Sequence, residues 1–185
     1  MGEIDDAIER ADRESFTRQP PKTLKGQIGY LLKQMGSAKA VAQELGVTAD
    51  SVNRYRRGAR KHARADIAAK INDAVRARWQ PQVRKRRQKQ AATASGITVE
   101  TRARFGYTAP VGTTDDGRFR RLTVHLPPTY AQRLFDARNT GANDQQMRQI
   151  IAEGFKDIYF QDSGARATGL SDVTLNDIDY LDLDY

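Results

Sequence analysis

The stretch AKAVAQELGVTADSVNRYRR, residues 38–57, constrains the fold more than any other part of the chain. Its small or apolar side chains, Val41, Ala42, Leu45, Val47, Val52 and Tyr55, recur at the spacing of two short helices broken at Gly46. Ala42 is small where two helices would cross, Gly46 relieves the turn, and Thr48 precedes the second helix with a hydroxyl able to cap it. This is helix-turn-helix spacing, which predicts that the second helix, from about Ala49 to Arg57, enters a DNA major groove. Asn53, Arg54 and Arg57 are the side chains placed to reach base edges or phosphates, with Ser51 beside them and Arg60 and Lys61 just beyond. Upstream, Leu24, Ile28, Leu31, Leu32 and Met35 share one helical face that Gly36 ends. Downstream, Ile67, Ile71, Ala74 and Val75 predict a further helix that completes a DNA-binding domain over residues 22–80, with Trp79 in its core.

The charge supports the same partner. The chain of 185 residues carries a formal net charge of +8, unevenly spread. Between Arg54 and Lys89 the acids are Asp66 and Asp73, while DVTLNDIDYLDLDY at 172–185 has five aspartates and no basic residue. A basic block that neutralises phosphates releases condensed counterions, so nucleic acid is the first candidate ligand and a membrane surface the second. No stretch approaches the ~18 apolar residues that span a bilayer. The acidic start MGEIDDAIER lacks the apolar run of a secretion signal, so a cytoplasmic location is expected. With no cysteine, and His62 and His125 as the only histidines, no structural metal is expected.

Residues 1–21 are polar and close on Pro20-Pro21; they read as an N-terminal arm, with one helical turn around Ile4 to Ala11. QPQVRKRRQKQAATASG loses its apolar stripe while gaining charge, so residues 81–96 read as a basic linker in which Arg84, Lys85, Arg86 and Arg87 attract phosphates without regard to sequence. After Gly96 the pattern alternates: ITVETRARFGY and RFRRLTVHLP predict two strands, and PPTYAQRLFDARNTG and NDQQMRQIIAEGFKDIYF predict two amphipathic helices separated by Gly141. The expected architecture is mainly α with a small β element: an N-terminal helix-turn-helix domain, then an α+β domain over 97–171 in which a β-hairpin precedes two helices, then an acidic tail over 172–185 that can add as an edge strand. A strand bearing Arg121, Thr123 and His125 ahead of two helices is also the order of ribbon-helix-helix proteins. That order would make the chain a homodimer, whereas pairing of this strand with Ile97 to Phe105 would keep it within one chain.

Between the two strands lies GTTDDG, in a glycine-flanked loop spanning 108–117 that is too long for a two-residue turn. Asp115 and Asp116 suit a turn, which is the plainer reading of the segment. An exposed threonine hydroxyl can also attack the α-phosphate of a nucleotide when another protein supplies the metals and the base. The chain has no glycine-rich phosphate loop, nucleophile elbow or His-Glu metal signature, so no catalytic site of its own is expected.

MGEIDDAIERADRESFTRQPPKTLKGQIGYLLKQM, AKAVAQELGV, ARWQP, GITVETRARFGYTAPVGTTDDGR and DIDYLDLDY together resemble the telomere-protecting terminal proteins of streptomycete linear chromosomes and plasmids, the Tpg family, and the resemblance runs the length of the chain. It implies a protein that stays covalently attached to the 5′ end of DNA and primes synthesis there, a polymerase joining the first deoxynucleotide to a threonine. The hydroxyl implied is that of Thr114, with Thr113, Asp115 and Asp116 around it. The partners implied are telomeric DNA as a single-stranded 3′ overhang or folded hairpins, a telomere-associated protein, and a DNA polymerase that brings the divalent metal. The site of action implied is the chromosome ends in the bacterial nucleoid. The alternative reading of the residues is a noncovalent, dimeric DNA-binding regulator with helix-turn-helix and ribbon-helix-helix surfaces, in which GTTDDG is a turn.

Overall fold

The computed structural model describes residues 2–108, 118–165 and 170–185. In chain order its helices are α1 (Glu3–Glu14), α2 (Leu24–Met35), α3 (Ala38–Leu45), α4 (Ala49–Arg57), α5 (Ala65–Arg78), α6 (Pro81–Gln90), α7 (Pro128–Asn139) and α8 (Asp144–Phe155), and its strands are β1 (Ile97–Thr108), β2 (Arg118–Leu126) and β3 (Asp172–Asp184). The fold is mainly α with one small antiparallel sheet, as expected. The chain divides into two compact units, Phe16–Pro81 and Met1–Ser15 with Gln82–Tyr185. Among the described residues no helix is long and apolar enough to cross a membrane.

The helical unit holds α2 to α5 around Ile28, Leu31, Val41, Leu45, Val52, Tyr55, Ile71 and Val75. Each of α2, α3 and α4 starts on a hydroxyl cap: Thr23, Ser37 and Thr48 accept hydrogen bonds from the backbone N–H groups of Gly26, Ala40 and Ser51. Trp79 is only half-buried. Its ring packs 4.8 Å from that of Tyr30, and its indole N–H donates to the Arg18 carbonyl at 2.9 Å, tying down the segment that precedes Pro20.

The second unit packs α1, α7 and α8 on one face of a sheet of order β2-β1-β3. In β1 the side chains of Ile97, Val99, Thr101, Ala103 and Phe105 are buried, and Leu122, Val124 and Leu126 of β2 and Val173, Leu175, Leu181 and Leu183 of β3 join them. Val99 lies opposite Val124 on one side and Leu183 on the other, so one apolar row crosses all three strands. Gly96 leads into β1 at φ +72°, and a Cβ there would lie 2.3 Å from the Leu126 carbonyl oxygen, so only glycine fits this approach.

Two expectations are corrected and a third is met. Residues 1–21 are not an arm: Glu3–Glu14 form α1, whose Ile4, Ala7 and Ile8 are fully buried in the core of the second unit. The stripe at i, i+3, i+4 and i+7 through Ala11 is that of an amphipathic helix, and burial of Ile4 and Ile8 is worth about 1.5–3 kcal/mol each before ordering costs. Residues 81–96 are not a linker but, from Gln82 on, part of the second unit: they form α6 and a single π turn, Ala91–Ser95, with Ala91 fully buried. Residues 172–185 add as an edge strand, as expected: β3 pairs with β1 along its length, its aspartates alternating with buried apolar residues, and the hairpin becomes a three-stranded sheet. The strand carrying Arg121, Thr123 and His125 pairs with β1 of its own chain.

Candidate nucleic-acid interface

Helices α3 and α4 meet through a three-residue turn, Gly46 to Thr48, whose conformation follows from its sequence. Gly46 adopts the left-handed conformation at φ 67°, and the Val47 N–H donates to the Ala42 carbonyl at 2.9 Å, which closes the C-terminus of α3. Thr48 then starts α4: its hydroxyl accepts from the Ser51 N–H at 3.2 Å and lies 3.0 Å from the Ser51 hydroxyl. Val52 and Tyr55 anchor α4 in the core, which rotates the rest of its surface outward.

On that outward surface Arg54 and Arg57 are exposed and Asn53 is partly so, with Arg60 and Lys61 exposed after the helix ends at Gly58. Arg54 donates to Asp50 one turn earlier, Nε to Oδ2 at 2.8 Å, with both side chains about half in water. Such an exposed pair contributes little to stability, but it holds the guanidinium along the helix flank, from which a base edge or phosphate can take it over. Ser51 is half-buried and engaged with Thr48, so its part is to set the start of the helix as much as to face a ligand.

The basic run on α6 divides. Lys85 and Arg86 are exposed and Arg87 is half-buried, whereas Arg84 is buried and belongs to a polar network inside the second unit. Its Nη1 and Nη2 donate to the two carboxylate oxygens of Glu9 at 2.8 and 3.1 Å, and Nη1 also reaches Asp12 at 3.2 Å. Asp12 is fully buried and accepts further hydrogen bonds from Gln88 and from the Tyr185 hydroxyl. Arg138 of α7 adds bonds to Asp5 at 2.6 Å and to Glu9 at 2.7 Å. Arg84 therefore leaves the expected phosphate-binding set, because a buried charge needs its partners and this one has them within the fold. Sequence reasoning missed the network. Its visible signal was Asp5, Glu9 and Asp12 at i, i+4 and i+7, a line of carboxylates along one flank of α1.

Burial works to raise the Glu9 carboxyl pKa, but the hydrogen bonds from Arg84 and Arg138 outweigh it and hold Glu9 below the usual carboxylate range. Burial first, and the Asp12 charge second, push the Tyr185 hydroxyl well above its ordinary value.

Thr113, Thr114, Asp115 and Asp116 lie outside the described residues. The strands on either side of them are described: Phe105 of β1 is the register partner of Arg118 of β2, so the hairpin holds both ends of the segment at one end of the sheet. Among the described residues no three His, Asp or Glu side chains converge as metal ligands do. The chain matches no protein-family model, no curated protein and no solved structure.

Proposed function

We propose that the chain is a DNA-binding terminal protein that primes DNA synthesis at the ends of linear replicons, with Thr114 as the nucleotidyl acceptor. The observation that carries the DNA-binding half is the helix-turn-helix geometry: α4, capped by Thr48 and anchored by Val52 and Tyr55, turns Asn53, Arg54 and Arg57 outward, with Arg60 and Lys61 following. The resemblance of GITVETRARFGYTAPVGTTDDGR to terminal proteins supports the priming half. So does the attachment of that segment to a β-hairpin, a rigid support from which a loop can reach into another protein's active site.

The chemistry is nucleotidyl transfer. The Thr114 hydroxyl oxygen attacks the α-phosphorus of a deoxynucleoside triphosphate, the bond to the β-phosphate oxygen breaks, and pyrophosphate leaves. The hydroxyl proton passes to a base in the polymerase, whose two divalent metals stabilise the attacking and leaving oxygens. The product is a phosphodiester that joins the threonine oxygen to the 5′ oxygen of the nucleoside through the former α-phosphate, and the free 3′ hydroxyl is then extended. The chain is a substrate and a DNA-binding device: α4 binds telomeric DNA, the exposed Lys85 and Arg86 add phosphate attraction, and a telomere-associated protein and the polymerase complete the assembly.

Peptide mapping after incubation with polymerase, divalent metal and labelled deoxynucleotide, followed by nuclease digestion, tests this reading. A nucleotide on the peptide containing Thr114 is expected. Specific duplex binding without any covalent nucleotide would leave the noncovalent regulator as the better account.

A further inference from the structure

The helices of the second unit cover one face of the sheet, and the opposite face carries an unusual group of side chains. At the end of the sheet where Phe105 pairs with Arg118, Phe119 of β2 sits opposite Arg104 of β1, and the next outward row runs Arg121, Arg102, Tyr180 across the three strands. Phe119 is 48% exposed. The Arg104 and Arg102 guanidinium carbons lie 5.3 and 5.8 Å from its ring centroid, and that of Arg121 lies 5.9 Å from the Tyr180 ring. An outward phenylalanine on a sheet face contributes nothing to the core beneath it, and one ringed by guanidiniums has the composition of a surface on which nucleobases stack.

The three arginines are already paired, in a way a phosphate can undo. Arg102 meets Asp179 at 2.6 Å and Arg104 meets Asp177 at 3.5 Å, each pair about half exposed. Arg121 meets Glu100 at 2.6 Å, and the Tyr180 hydroxyl donates to the same Glu100 oxygen at 3.0 Å. Exposed ion pairs of this kind are screened and weak, so they orient the arginines without committing them. Asp177 and Asp179 reach this face because β3 is bulged there: the register slips on either side of Ala103, and Asp177 takes the left-handed conformation at φ 42°. Bulges are common on edge strands such as β3 and next to functional sites, and in both places they re-aim side chains.

We propose that this face binds single-stranded DNA, with an unpaired base stacked on Phe119 and Arg102, Arg104 and Arg121 exchanging their carboxylates for the phosphates on either side. Duplex DNA does not fit, because its bases are already stacked on one another and cannot cover the ring. The site stands at the end of the sheet from which the segment containing Thr114 departs. Its use to hold the template strand near the acceptor rests on the priming reading, while the binding itself does not.

The test is fluorescence anisotropy on the full chain, with a labelled oligodeoxythymidine and, separately, a labelled telomeric duplex. Phe119→Ala is expected to weaken oligodeoxythymidine binding roughly 5- to 150-fold, the range for loss of one stacked base, and to leave duplex binding unchanged. Phe119→Trp should restore it, Arg54→Ala should show the reverse selectivity, and Asp177→Asn with Asp179→Asn should tighten the single strand by releasing Arg104 and Arg102. Wild-type affinity in Phe119→Ala, or equal loss of both ligands at an unchanged melting temperature, overturns the proposal. Deoxynucleotide transfer, measured in the same variants, separates the two readings: Phe119→Ala with normal oligonucleotide affinity and normal transfer sinks this site alone, while Thr114→Val with undiminished transfer sinks priming alone.

Discussion

The hydroxyl of Tyr185, just beyond β3, donates a 2.6 Å hydrogen bond to Oδ1 of Asp12 on α1, a carboxylate with no exposure to water. The bond joins segments far apart in the sequence through a group that must be satisfied if it stays buried. Tyr185→Phe keeps the ring, including its packing 5.1 Å from Phe135, and removes only the donor. The expected cost is about 1.5–3 kcal/mol, the value of a hydrogen bond to a charged group. Urea unfolding should show it as a lower midpoint with an unchanged slope; an unmoved midpoint would mean that Gln88 and Arg84 satisfy Asp12 without the tyrosine.

The same network makes stability depend on acid. Because Glu9 has a lower pKa folded than its ordinary 4.5, the unfolded chain takes up the proton first as the pH falls. Its contribution is complete above the unfolded value and is lost as the pH drops through the lower folded one. Thermal melts across this range should show a decline beginning below about pH 4.5 that is shallower in Glu9→Gln. Parallel declines in the two proteins would assign acid sensitivity to other carboxylates.

Neighbouring basic residues on α6 should separate into two kinds of effect. Arg84→Ala leaves Glu9 and Asp12 without their main cation and is expected to destabilise the second unit by about 3–5 kcal/mol. Lys85→Ala and Arg86→Ala, both at exposed positions, should leave the melting temperature in place and lower the salt dependence of DNA binding by about one counterion each. Equal effects of all three on DNA binding at full stability would return Arg84 to the DNA-facing set.

Arg54 is the exposed arginine of α4 that Asp50 orients. If it makes a bidentate base contact, Arg54→Ala should reduce discrimination between the preferred site and a single-base variant by about 1–3 kcal/mol. Competition binding measures this directly. Uniform weakening across sequences would place Arg54 on a phosphate instead.

The helix-turn-helix was legible because its signals are local: Gly46 and Thr48 act within a few residues of themselves, and Ala42, Val52 and Tyr55 mark buried faces by period alone. The strands β1 and β2 and the helices α7 and α8 were legible for the same reason. What escaped was set by distant partners. The acids of α1 hid an apolar stripe whose cover, the sheet, lies some ninety residues further on, and the edge strand β3 did not show the bulges that its register with β1 imposes. Arg84 looked like any member of a basic run until Glu9 and Asp12 came within hydrogen-bond distance. Phe119 and Arg104, fifteen positions apart, become neighbours only through the hairpin register.

The most direct test of the central claim compares two adjacent hydroxyls. Wild-type chain, Thr113→Val and Thr114→Val are each incubated with a DNA polymerase, divalent metal, telomeric template and labelled deoxynucleotide, then denatured and counted for covalent label. Label is expected on the wild type and on Thr113→Val and to be absent from Thr114→Val. Wild-type labelling of Thr114→Val would contradict the assignment.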